Sequence, residues 1–146
     1  MDVYSPFEPV SFADVIPGEF VALEAEKKAV VAFSVLVAGR DVGFLLLEGP
    51  NAGRIKYVFD GSVLRFKPPI HLALHYRSDT FGWEMPEVKI VAAVDGEDTY
   101  FIFIDHGVHM AANIKTGVVA KAPRNPCYVN DWAIRSDMQT EPVLQS

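Results

Sequence analysis

The chain has 146 residues, 50% of them hydrophobic, 12% aromatic and 22% charged, with a formal net charge of −6. A single domain of that length removes roughly 68–70% of the unfolded surface from water, enough for a core without metal or disulfide staples. Disorder is excluded by the apolar content, and the acidic balance argues against general nucleic-acid binding, which favours a basic domain.

Residues 1–17 read as an arm or covering segment, with two prolines in its first ten positions. Ser11 as N-cap and Pro17 as a stop suit one helical turn between them. From Gly18 onward the texture is that of strands, over 19–26, 29–38, 42–48, 54–59, 62–67, 70–77, 87–94, 97–105, 108–114, 118–122 and 127–134. The connections at Lys27-Lys28, Gly39-Arg40-Asp41, Asp60-Gly61, Pro68-Pro69 and Asp95-Gly96 are too short for parallel crossovers. In Asn113-Ile-Lys-Thr-Gly117 the glycine suits a left-handed position. No helical period of useful length occurs. The pattern predicts an all-β fold, a mainly antiparallel sandwich or flattened barrel of about 9–11 strands with at most one short helical turn. It forms one domain over 1–134, followed by a flexible tail over 135–146.

Segments 29–38, 42–47 and 99–104 are apolar on both faces. Strands buried on both sides need cover, and no covering helix is in sight. A second sheet, the N-terminal arm or another subunit must supply it, so a homodimer is expected. The lone cysteine, Cys127, closes no internal disulfide, the start lacks a signal peptide's basic and apolar regions, and run 29–38 is far short of the ~20 residues of a spanning helix. These features predict a cytoplasmic protein without membrane association.

Charge is unevenly spread. Residues 54–77 carry Arg54, Lys56, Arg65, Lys67 and Arg77 against Asp60, whereas 79–105 carries seven acids against Lys89. With Asp60-Gly61 as a two-residue turn, the flanking strands pair Phe59 with Ser62, Tyr57 with Leu64 and Ile55 with Phe66. Lys56 then faces Arg65, and Arg54 faces Lys67, on the other side. Like charges opposed across a ladder cost roughly 0.2–1 kcal/mol each, which calls for a compensating partner. If the next strand is a neighbour, His71, His75 and Arg77 extend the same face. This constellation predicts a non-enzymatic binding or accessory protein that uses the basic face to contact an acidic protein surface or hold an anionic ligand, without cofactor. Carboxylates of the same chain are the competing explanation for the cations.

The remaining chemistry is sparser. On a strand His71 and His75 stand about 13 Å apart, too far to share one metal ion. A metal site would need either of them to meet Asp105, His106 or His109 across the fold. A Cys127–His pair would be a nucleophilic site, but a small packed thiol explains the cysteine as well. Segment 48–54 has a phosphate loop's glycines without its Lys-Ser/Thr or its helix. Glu84, Glu87, Glu97 and Asp98 read as a solvated acidic rim rather than a glycosidase pair. Phe81 and Trp83 would plug one end of a sandwich or, if exposed, mark a contact surface. The alternative to a binding face is a small-ligand or enzyme pocket lined by Tyr57, Tyr76, Asp105 and His106.

Overall fold

A computed structural model describes residues 7–58, 60–136 and 142–146. Within them the chain forms fifteen antiparallel strand segments: β1 (Phe7–Ser11), β2 (Phe20–Ala25), β3 (Lys28–Leu36), β4 (Val42–Leu46), β5 (Ile55–Lys56), β6 (Ser62–Phe66), β7 (Ile70–Leu74), β8 (Phe81–Gly82), β9 (Ile90–Asp95), β10 (Asp98–Asp105), β11 (Val108–Asn113), β12 (Val119–Lys121), β13 (Cys127–Val129), β14 (Trp132–Ser136) and β15 (Leu144–Gln145). The helical turn is a 3-10 segment, Phe12–Asp14, capped by the Ser11 hydroxyl as expected. Three sheets pack as a sandwich that does not close into a barrel. The strand orders are β1-β6-β2-β3-β4-β5, β12-β11-β10-β9-β13-β8 and β15-β14-β7.

Alternation builds a core shared by all three sheets. Phe33, Val35, Leu45 and Leu47 from the first meet Phe101, Phe103 and Ala112 from the second and Trp132 and Ile134 from the third. Phe101 sits at its centre, with ring centroids 5.6 Å from Phe33 and 5.3 Å from Trp132. The strands that are apolar on both faces find their cover inside the chain. Val15 and Val58, from irregular segments, pack with Val10 and Val63 of the same sheet on the second face of β2, β3 and β4. Met85 and Val88, with Tyr128 of the neighbouring strand, pack on Val91, Ala93 and Ile102. Burial of these faces therefore requires no second subunit.

Several expectations are corrected. The ribbon over 54–67 does not exist, because β5 pairs with β4 at one edge of its sheet while β6 lies between β1 and β2 near the other. Gly61 does adopt a left-handed φ of 90°, but the connection carries Val58 over the sheet's apolar face instead of folding β5 onto β6. Burying Val58 there replaces a local pairing that would have opposed four cations. Phe59, expected opposite Ser62, lies outside the described residues.

The arm contributes a strand, with Phe7 opposite Phe66 and Glu8 opposite Arg65. Segment 127–134 divides between two sheets, β13 joining β9 and β14 joining β7. Of the expected tail, Arg135 and Ser136 continue β14 while Leu144 pairs with Ile134. Leu144 and Val143 have apolar side chains that pack on the core, which is why the end docks; residues 137–141 lie outside the described residues. The first hairpin turns at Glu26-Lys27, both at positive φ, one position earlier than expected. Trp83 plugs nothing, since it is 70% exposed.

Candidate functional site: a basic cleft at the edge of the sandwich

The cations expected to share one face are dispersed, and most are tied down within the chain. Arg65 contacts Glu8 at 2.7 Å and Glu19 at 3.4 Å. The hydrogen bond to Glu8, reinforced by the charges of both carboxylates, raises the guanidinium pKa against the opposing effect of desolvation. Glu19 is itself fixed: its Oε1 accepts the Ile16 N–H at 2.9 Å, and its own N–H donates to the buried Ser34 hydroxyl at 2.7 Å. Lys56 donates through Nζ to the Glu24 carbonyl at 2.8 Å. Asp131 takes both His75, at 3.2 Å, and Arg77, at 3.0 Å. Lys67 and His71 also have partners of their own.

Arg54 behaves differently. It ends the loop entering β5 and lines a cleft of about 690 Å³ between that edge, the β3–β4 turn and the end of β10. Val37, Ile55, Phe103 and Ile104 form apolar walls; Arg40, Tyr57, Asp105 and His106 supply the polar groups. The Arg40 guanidinium lies 5.7 Å from the Tyr57 ring centroid, within the range of a cation–π contact. Among the described residues, neither Arg40 nor Arg54 is paired with a carboxylate. Among the described residues the one acid lining the cleft, Asp105, is engaged by His106 Nδ1 at 2.9 Å.

Two glycines set this geometry. Gly53 has φ of 85°, and a β-carbon there would stand 2.4 Å from the Lys89 carbonyl oxygen. Lys89 answers by donating to the Pro50 carbonyl at 2.6 Å, which clamps the loop that presents Arg54 onto the start of β9. Gly43 in β4 leaves room for the next strand, since a β-carbon would meet Ile55 Cγ2 at 2.6 Å and Tyr57 Cε1 at 2.9 Å. The Tyr57 ring therefore lies down on β4 beside Arg40. His106 and Gly107, with φ of 49° and 77°, make the tight turn that carries the opposite wall from β10 to β11.

Of the residues expected to line a pocket, Tyr57, Asp105 and His106 converge here, while Tyr76 instead packs edge-on against Phe81. Sequence reasoning missed Arg40, whose Gly-Arg-Asp setting reads only as a connection. Among the described residues, no group of three or more His, Cys, Asp or Glu side chains is placed to hold a metal ion. Cys127 lies half-buried in β13, with its thiol directed to the Tyr128 carbonyl. Glu84, Glu87, Glu97 and Asp98 are exposed. Among the described residues, no helix is long and apolar enough to cross a membrane. No protein family matches the chain, and no curated protein or solved structure matches it significantly.

Proposed function

We propose that this β-sandwich protein binds a small anion with an apolar body in the cleft between Arg40 and Arg54, without turning it over. The observation that carries this reading is a pair of exposed guanidinium groups, unpaired with any carboxylate among the described residues, lining a concave space with apolar walls. A volume of about 690 Å³ falls in the range of small-molecule sites. Arginine recognises carboxylate and phosphate through paired N–H donors, and the Tyr57 ring offers a surface for a planar ligand to stack on. Binding is favoured over catalysis because the acid–base pair lining the cleft is solvated, with the His106 side chain 94% exposed and that of Asp105 54% exposed.

A flat basic face docking an acidic protein surface receives less support, because Lys56, Arg65, His75 and Arg77 are occupied within the chain. An acidic side chain of a partner entering the cleft would use the same two arginines. The cytoplasmic assignment is part of this reading and rests on the lone Cys127. Homodimerisation is a separate expectation, checked by the particle mass in solution.

The test is calorimetric titration with naphthalene-2-carboxylate and, in parallel, with the uncharged naphthalen-2-ylmethanol. The carboxylate should bind saturably and the alcohol at least about tenfold more weakly, as expected for a charge-assisted contact. Equal affinity for the two probes, or no saturable binding of the carboxylate, would overturn the reading.

A further inference from the structure

A second pocket, at the opposite edge of the same sheet from β12, has the reverse electrostatic character. It measures about 340 Å³ and is lined by Asp79, Phe81, Trp83, Glu84, Tyr128 and Asn130, among others. β8 forms its floor, held to β13 by the pairs Tyr128–Gly82 and Val129–Phe81. The preceding turn is fixed as well: the Asn130 N–H donates to the Thr80 carbonyl at 2.7 Å, and the Thr80 N–H to that of Arg77 at 3.0 Å. Opposite Tyr128 stands Gly82, which adds no side chain to the pocket, and a β-carbon there would meet none of the described residues within 4 Å.

Three aromatic rings therefore line a concavity whose charged groups, among the described residues, are carboxylates. Among those residues no Lys, Arg or His lines it, and the nearby Arg77 is committed to Asp131 at 3.0 Å. Asp79 and Glu84 have no ion-pair partner among the described residues. Trp83 is 70% exposed, so its ring is accessible to a ligand from solvent.

Aromatic faces carry negative charge at their centres and attract organic cations, and neighbouring carboxylates add to that field. An anion would be repelled by Asp79 and Glu84, and a neutral ligand would gain no charge–charge attraction from them. The cavity's volume lies at the lower end of the range of small-molecule sites. We infer that this pocket binds an alkylammonium group, the cation seated against Trp83 and Tyr128 and balanced by Asp79 and Glu84. The inference is independent of the Arg40–Arg54 cleft.

Choline and its uncharged isostere 3,3-dimethylbutan-1-ol, which have nearly the same shape, separate charge recognition from simple apolar contact. Calorimetry on the full chain should show saturable binding of choline and binding of the alcohol weaker by about tenfold, a cation–π-sized difference. W83A should weaken choline by about five- to thirtyfold, and E84Q or D79N by a few-fold, with R54A unchanged. Trp83 is exposed, so W83A keeps the fold, which the circular dichroism spectrum and the fluorescence of the buried Trp132 verify. No saturable choline binding, equal affinity for the alcohol, or an unaltered choline affinity in W83A would each overturn the proposal.

Discussion

Arg65 and Arg54 come from one short basic stretch, yet the fold uses them in opposite ways. Arg65 lies within a sheet, with Glu8 directly across on β1 and Glu19 reaching it from the loop before β2. Arg54 stands at the entrance to an edge strand, above a gap between two sheets. A cation inside a ladder must be neutralised by its neighbours, since a partly desolvated charge is costly when unpaired. At an edge, water satisfies the guanidinium until a ligand replaces it. Position in the sheet, more than residue type, separates a structural arginine from one available for binding.

Gly53→Ala should disturb that contrast most. The substitution places a β-carbon at a left-handed φ and 2.4 Å from the Lys89 carbonyl oxygen. Strain at such a backbone position and overpacking each cost of order 1–3 kcal/mol, so denaturant unfolding should show a loss of about 3 kcal/mol or more. Arg54 would move with the loop, so naphthalene-2-carboxylate binding should fall as well. A loss under about 1 kcal/mol would mean that the loop is not clamped on β9 as described.

Gly43→Ala comes next, with a smaller effect on stability. Its β-carbon would push Ile55 and Tyr57 off β4, at an expected cost of about 1–2 kcal/mol. The informative readout is the ratio of carboxylate to alcohol affinity, which should fall as Tyr57 and Arg40 lose register. If only stability changes, Tyr57 has no part in recognition.

Arg65→Met then tests the structural side. Both ion pairs are partly solvated, with the Arg65 side chain 27% exposed and the Glu8 side chain 39% exposed, so the loss should be only about 1 kcal/mol by urea unfolding. Affinity for the carboxylate should stay within about twofold. A tenfold loss of affinity would place Arg65 in the binding site and return weight to a basic sheet face.

How far the sequence anticipated this arrangement follows from what local patterns encode. Alternation located eleven strand regions, and the Asn113–Gly117 turn was legible because only glycine takes its final φ, 71°, without strain. Asp60-Gly61 misleads because a turn dipeptide says where the chain bends, not which strands pair. β6 pairs instead with β2 and with an arm from the start of the chain, non-local choices that no short pattern carries. The covers over the two-sided strands were equally hidden, since Val15, Val58, Met85 and Val88 occur singly in irregular segments. For the cleft, Arg54 and Tyr57 belong to the basic stretch and Asp105 and His106 to a distant segment, and only the tertiary arrangement joins them. Arg40 was missed although loop positions at strand ends are where binding groups concentrate.

Arg54→Ala and Arg40→Ala should change stability least and decide most. Neither guanidinium is paired with a carboxylate among the described residues, and both side chains are exposed, so unfolding free energies should stay within about 0.5 kcal/mol of the parent. Each replacement should nevertheless weaken naphthalene-2-carboxylate by about tenfold or more, while naphthalen-2-ylmethanol changes little. The sign of the residual effect separates the two arginines. Arg40 also rests on the Tyr57 ring, so its removal should slightly weaken the neutral probe too, whereas Arg54→Ala should act on the charged probe alone. If both variants bind the carboxylate as the parent does, the free guanidinium groups are ordinary solvated surface, and the contrast with Arg65 is one of packing without functional consequence.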